Sequence, residues 1–314
     1  MNLNARAAAL CSHLGDDAKR LRVELHRQDS GGLVVDCGVK AAGGLDAGLL
    51  LARVCLADLA TVNLMAGANG LGPVVQVQTD HPLLACMASQ YAGWEVKGEK
   101  FFAMGSGPMR AAAAREPLFE ELKYRESASI CVGVLESGKL PTDDVFRDVA
   151  AKCSVSPGTL LLLVAPTRSI AGTLQVVARS VETALHKLHE LKFDLHRVVS
   201  GWGSAPLPPP AKDDLAAIGR TNDAILYGGH AVLYVRGNDE SLQEIGAKTP
   251  SSASKDYGRP FAEVFAGYNH DFYQIDPLLF SPAVVTFVNI ETGNSFRFGK
   301  FDNDVLARSF GIVY

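Results

Sequence analysis

Arg179 and Glu182 lie three residues apart in the run Arg179-Ser180-Val181-Glu182. Residues at that spacing share a face of a helix. An arginine beside a carboxylate favours the ionised carboxylate and offers donors to an anion. That is the minimum equipment for holding a water and moving its proton. A solvated surface salt bridge has the same sequence signature and contributes little to stability. The elements that carry the pair therefore decide between the two readings.

The pair falls in a segment whose periodicity predicts one long helix over residues 171–191. Leu174, Val177, Val181, Leu185 and Leu188 form an apolar stripe. Gln175, Arg179, Glu182 and His186 form a second stripe beside it, which places the two charges at the border of the core face. Upstream, strands are expected near residues 33–35, 73–79, 96–103, 128–135 and 160–164. Asp46 is a candidate cap for a helix buried through Leu50, Val54 and Ala57, and Thr142 caps a helix reaching 151. Gly105-Ser106-Gly107-Pro108-Met109-Arg110 opens an alanine-rich helix, where free backbone N–H groups would suit an anion. Downstream, Gly201-Trp202-Gly203 reads as a flexible segment and the prolines at 206 and 208–210 as a stiff one. A helix from 213 to about 220, a turn at 221–223 and a strand at 224–227 follow. A further strand at 232–235, a polar loop at 251–258 and a C-terminal hairpin across 291–294 complete the chain.

Alternating strands and helices predict an α/β-layered fold, α+β by subdomain, with a substrate cleft between two subdomains. The charge-rich stretch 115–127 is the expected boundary. It separates an N-terminal subdomain, 1–115, from a C-terminal one, 128–314, with exchange of segments between them left open.

Composition narrows the function classes. The 314 residues are 47% hydrophobic and 20% charged, which suits a large globular core. A formal net charge of −4 gives no bulk attraction to nucleic acid. The charge-free stretch 59–79 is interrupted by Asn63, Gly67, Gly72 and Pro73 and is not expected to span a membrane. The N-terminus has no signal-peptide pattern. Six cysteines, none in a CxxC pair, read as reduced buried thiols of a cytoplasmic protein. HExxH, GxxxxGK[ST] and GxSxG are absent, and Gly105-Ser106-Gly107 lacks the third glycine of a dinucleotide fingerprint. His186 and His189 can share a helix face, but no third ligand is evident, so no metal site is expected. For an enzyme, a cofactor-free reaction using carboxylate, arginine, hydroxyl and backbone groups remains.

Four blocks, GSGPMRA from Gly105, SGWGSAPLPPPAKDDLAAIGRTNDAILYGG from Ser200, SSASKDYGRPF from Ser251 and DFYQIDPLLFSPA from Asp271, together resemble the methenyltetrahydromethanopterin cyclohydrolase family. The first departs from the family pattern at Met109, where a smaller residue is expected. The family's catalytic pair is an arginine followed three residues later by a glutamate, which Arg179 and Glu182 match. The resemblance implies addition of water to 5,10-methenyl-tetrahydromethanopterin to give the 5-formyl compound. It also implies a homotrimer of two-lobed subunits, with no metal, cofactor or prosthetic group. Ser106, Gly107 and Arg110 become candidates for an anionic or carbonyl edge of the substrate, and Asn222 and Asp223 for a pterin edge. Ser251 to Tyr257 would cover the cleft or meet a neighbouring subunit, and Trp202 would stack on a ring. Helix cap, turn, surface loop and core packing are the plain alternatives for these residues. A non-catalytic pterin-binding protein and a cyclohydrolase acting on a folate-type analogue are the rival functions.

Overall fold

Runs of Val, Leu, Phe and Ala at alternating positions close two six-stranded sheets, one in each of two units. The computed structural model describes residues 1–67 and 71–312. One unit comprises Met1–Ala60 and Leu84–Gln175, the other Thr61–Leu83 and Val176–Tyr314. Strands and helices are numbered along the chain.

The first unit holds β1 (Glu24–Arg27), β2 (Leu33–Asp36), β5 (Trp94–Gly98), β6 (Phe101–Ser106), β7 (Cys131–Glu136) and β8 (Leu160–Ala165), in the order β1-β2-β8-β7-β6-β5. The strands β2, β8 and β7 run parallel and the outer ones antiparallel. Every residue of β8 is buried, as a central parallel strand requires. Leu160, Leu162 and Val164 face α4 (Met109–Ala113) and α6 (Asp143–Lys152). Leu161, Leu163 and Ala165 face α1 (Leu3–Leu10), α2 (Leu14–Leu21) and α3 (Leu45–Cys55). Helices on both faces of the sheet make this unit a three-layered α/β structure. Short α5 (Leu118–Leu122) and α7 (Ile170–Val177) complete it, the last two residues of α7 belonging to the second unit.

The second unit holds β3 (Thr61–Met65), β4 (Val74–Thr79), β9 (Val198–Pro206), β10 (His230–Val235), β11 (Val284–Asn289) and β12 (Ser295–Gly299), in the order β12-β11-β10-β9-β4-β3. Among the described residues of this sheet, β10 and β11 pair in parallel and the other neighbours antiparallel. Val75, Val77, Ala205, Ala231, Leu233, Val285 and Phe287 bury one face. The opposite face carries Gln76, Trp202, Ser204, Val232 and Thr286, all partly exposed. α8 (Ser180–Glu190) packs on β9, β10 and β4. α9 (Asp214–Leu226) packs against α11 (Phe261–Gly267) and α12 (Asn303–Phe310), and α10 (Asp239–Gly246) against β11 and β12. The layered α/β reading holds for both units.

Several local expectations change. The strand expected at 96–103 is a hairpin, β5 and β6, turning at Glu99 and Lys100. The cap of α3 is Gly44 rather than Asp46, which pairs with Arg20 instead, and Leu51 rather than Leu50 enters the core. The segment 221–227 continues α9 up to Leu226, so neither the turn nor the strand expected there forms. The stretch 115–127 lies inside the first unit rather than between two. Glu126 accepts hydrogen bonds from the free N–H groups of Leu3 and Asn4 at the start of α1, and Glu116 pairs with Arg110. The chain instead divides after Ala60, Leu83 and Gln175, and the segment containing the β3–β4 hairpin joins the C-terminal unit because β4 pairs with β9. Met109, the departure from the family pattern, is fully buried. Its side chain occupies the space over Gly105 and Gly133 that a β-carbon on either would need. Two glycines on adjacent strands thus make room for one long thioether.

Gly201 and Gly203 are not flexible joints. They lie inside β9, and a β-carbon at Gly201 would meet Val181 Cγ1 at 2.7 Å. One at Gly203 would collide with the Ser180 hydroxyl and meet Val181 Cγ2 at 2.9 Å. Their missing side chains let the first turn of α8 rest on the strand. Gly203→Ala should therefore destabilise the protein by about 1–3 kcal/mol, the usual range for overpacking. Urea unfolding checks this; a midpoint within error of the parent would mean that α8 yields without strain.

Candidate active site

The expected long helix is two helices. α7 ends at Val177, Ala178 and Arg179 form a turn, and α8 begins at Ser180. Arg179 is the N-cap residue of α8, with φ −102° and ψ 11°, and its carbonyl accepts from the Thr183 N–H at 2.8 Å. Glu182 is then the third residue of α8, in its first turn. There the unsatisfied N–H groups and the helix dipole favour negative charge. Both side chains are buried, Arg179 at 6% and Glu182 at 4% relative exposure. A solvated surface salt bridge is excluded by those values. The stripe expected through Gln175, Arg179, Glu182 and His186 is cut by the break. The physical reason lies in β9: α8 must start where Gly201 and Gly203 allow close approach.

The GSGPMR turn is built around Gly107, whose φ of +88° favours glycine. Its N–H donates to the Ser89 carbonyl at 2.9 Å, and the Arg110 and Ala111 N–H groups close back on Gly107 and Pro108. Backbone donors expected to face an anion are thus engaged within the turn and with Ser89. Arg110 is 1% exposed and equally committed. Its guanidinium forms a forked pair with Glu116, donates to the Met87 carbonyl at 2.8 Å and lies over the Tyr91 and Phe119 rings. Burying a guanidinium requires such partners.

Ser106 belongs to a polar chain that sequence patterning did not assemble. Its hydroxyl lies 3.3 Å from Cys55 Sγ, and Cys55 Sγ donates to Gln175 Oε1 at 3.5 Å. Gln175 Nε2 in turn donates to Glu136 Oε1 at 2.9 Å. Ser89 adds a bond from its hydroxyl to the Cys55 carbonyl at 2.6 Å. Sequence patterning passes over Glu136. Its signal was a single charge closing the otherwise apolar strand Cys131-Val132-Gly133-Val134-Leu135-Glu136.

Asn222 and Asp223 stand on α9. The Asn222 amide donates back to the Ile218 carbonyl at 2.9 Å. Asp223 is fully buried, and its Oδ1 accepts from the Phe261 N–H at 2.8 Å, capping α11. Burial pushes its carboxyl up to about 7, while Ser309 and the Phe261 N–H pull the other way. The segment from Ser251 exposes Ser252, Ala253 and Lys255 at the surface but is anchored inward by the residues between them. Ser251, Ser254 and Asp256 are buried, Ser254 donates to Asp276 at 2.7 Å, and Asp256 accepts from Tyr268 and the Asp276 N–H. Two of the family blocks therefore meet in one internal frame. Lys187, on α8, is tied to the same region through the Leu278 carbonyl, and burial lowers its ammonium to about 8. Trp202 alternates with Gly201 and Gly203 and so points away from α8, edge-on to His230 at 5.7 Å.

Among the described residues, one group with metal-ligand chemistry comes together in the first unit: Glu24, His26 and Asp36. Both oxygens of Asp36 accept from backbone N–H groups, those of Gly38, Val39, Lys40 and Ala41. Those bonds fit a loop clamp better than a cation ligand. No helix among the described residues is long and apolar enough to cross a membrane.

A family model described as Cyclohydrolase (MCH) matches residues 2–310. The chain is 51% identical over 312 residues to a methenyltetrahydromethanopterin cyclohydrolase of Methylobacillus flagellatus, covering 99% of this chain and 95% of that protein. It is 52% identical over 290 residues to one of Rhodopirellula baltica, covering 90% and 87%. To one of Methanococcoides burtonii it is 40% identical over 316 residues, covering 99% of each.

The Asp223 environment gives a pH test. An unfolded aspartate titrates near ~3.9, and the folded one at about 7. Between those values the folded state holds a proton that the unfolded state releases, so this contribution to stability falls as pH rises. Asp223→Asn keeps the acceptor for Phe261 and removes the titration. The melting temperature of the parent relative to Asp223→Asn should decline from about pH 4 to pH 7.5. Parallel profiles would rule the titration out.

Proposed function

Because the chain belongs to the cyclohydrolase family that includes these methenyltetrahydromethanopterin cyclohydrolases, we propose that it hydrolyses the methenyl bridge of 5,10-methenyl-tetrahydromethanopterin to the 5-formyl compound. The observation that carries the catalytic assignment is a buried arginine and glutamate at the N-cap and third positions of α8. The methenyl carbon bridges two nitrogens as a cationic amidinium and is electrophilic without further polarisation. Glu182 takes a proton from the attacking water as its oxygen bonds to that carbon. The bond from the carbon to N10 then breaks, and Glu182 returns the proton to N10. Loss of the hydroxyl proton leaves the 5-formyl group. Cation plus water thus gives a neutral formyl compound and one proton.

Arg179 orients Glu182 and the water, and its charge favours the ionised base. An arginine near a cationic substrate is unfavourable by itself, and pairing with Glu182 offsets this. The helix N-terminus supports the same ionisation. On this reading no metal or prosthetic group is required, since the substrate supplies the electrophile. Ser106 and Gly107 are proposed to shape the binding surface through the turn they form, and Asn222 and Asp223 through the seating of α9 and α11. Family resemblance supports a homotrimer. Six free, buried thiols suit a reducing cytoplasm.

Glu182→Gln should lower kcat by about 10²–10⁴-fold, the usual range for general acid–base help, while substrate binding persists. Loss of the methenyl absorbance measures turnover, and its perturbation on mixing measures binding. Near-parental turnover would remove Glu182 from the chemistry. Arg179→Lys keeps the charge and loses the planar fork. It should lower kcat by about 10-fold or more, as expected for a donor acting at the transition state. An unchanged rate would reduce Arg179 to a generic cation.

A further inference from the structure

Lys187 carries a charge where charge is costly. Its side chain is fully buried on α8, and an ammonium taken out of water needs partners. Among the described residues its hydrogen-bond partner is the Leu278 carbonyl, in the turn Pro277–Leu279. Asp276, the residue that caps this turn, adds the attraction of a carboxylate. The turn is itself tied down. Asp276 accepts from the Leu278 N–H at 3.0 Å and the Ser254 hydroxyl at 2.7 Å, and its own N–H donates to Asp256 at 3.0 Å. Asp256 also accepts from the Tyr268 hydroxyl at 3.0 and 3.1 Å. Lys187, Ser254, Asp256, Tyr268 and Asp276 all belong to the second unit, as do Arg179 and Glu182.

Much of the remaining buried face of α8 is apolar: Val181, Ala184, Leu185 and Leu188. Apolar burial is non-directional. It resists lifting the helix off the sheet more than it resists a small rotation or slide. A hydrogen bond has a preferred line. Lys187 supplies one about 7.5 Å along the axis from Glu182, five residues at roughly 1.5 Å each. The hydrogen bonds within α8 carry a rotation at one residue to the other. We propose that Lys187 is a positioning residue: by fastening α8 to the polar frame of Ser254, Asp256 and Asp276, it fixes the rotation of the helix and so the aim of Arg179 and Glu182. This rests on the catalytic reading of that pair above. It also gives the blocks SSASKDYGRPF and DFYQIDPLLFSPA a task, which is to build the mount of the catalytic helix. A reacting group displaced by about 1 Å can cost on the order of 100-fold in rate, so such a mount bears directly on turnover.

The test uses the full-length protein, with kcat and KM for methenyl-tetrahydromethanopterin and the melting temperature as readouts. Lys187→Met keeps the bulk of the side chain and removes the anchor. It should lower kcat about 10-fold or more with KM within about threefold of the parent, because the aim of Glu182 changes and the binding surface does not. Its melting temperature should equal or exceed the parent's, since a buried charge gives way to an apolar group and Asp276 keeps its own donors. A merely structural lysine would give the reverse: a lower melting temperature and parental kcat in the folded protein. Asp276→Asn weakens the frame from the other side and should lower kcat at least about threefold at unchanged KM. Added to Lys187→Met, it should change kcat by less than about twofold, as two parts of one anchor do. If Lys187→Met fails to fold, Asp276→Asn decides alone, and a parental kcat there overturns the proposal. A kcat within about twofold of the parent in folded Lys187→Met would overturn it too. Parental turnover by Glu182→Gln would instead overturn the catalytic reading, so the two failures are separable.

Discussion

The close approach of α8 to β9 is the constraint on which the rest of the second unit depends. Gly201 and Gly203 leave no side chain between strand and helix, and Ser180 and Val181 settle into the vacated space. That contact decides where α8 starts. Had the helix run on from α7 without a break, Arg179 and Glu182 would sit in mid-helix, where every N–H is already bonded along the axis. The break instead places Glu182 in the first turn, among N–H groups that want an acceptor. A burial that would be costly for a carboxylate elsewhere is eased by the helix that carries it.

The same logic sorts the other buried charges. A charge taken out of water needs partners, and the partners reveal what the residue does. Arg110 is enclosed by Glu116, a backbone carbonyl and two aromatic rings, so it holds the turn that follows β6. Asp36 gathers four N–H groups and shapes a loop. Asp223 caps α11 and Lys187 anchors α8 to the turn at Leu278. In each case the partners lie within the frame of the fold. At the end of β7, Glu136 accepts from Gln175, a side chain that is itself held by the thiol of Cys55.

Patterning in the chain was enough for the layered α/β class, for β2, β4, β8 and β10, and for the Thr142 cap. Each of these rests on alternation or a capping residue within a few positions. It misplaced what depends on distant partners. Residues 115–127 look like a connector by charge alone, yet Glu126 caps α1 from more than a hundred residues away. Residues 221–227 look like a turn and strand, yet helices α11 and α12 pack along them and keep α9 continuous to Leu226.

The Arg179–Glu182 spacing and the four blocks around it were legible in the sequence, because motif and order are one-dimensional facts. Three things were decided only in the tertiary structure. Arg179 ends a turn rather than riding a helix face, because β9 sets where α8 begins. Arg110 is enclosed rather than open, because Glu116 and two rings close over it. Glu136 joins Gln175, Cys55 and Ser106, because strands and helices far apart in the chain converge there. A side chain's type is written in the sequence, but its free donors and acceptors remain unknown until the fold assigns its neighbours.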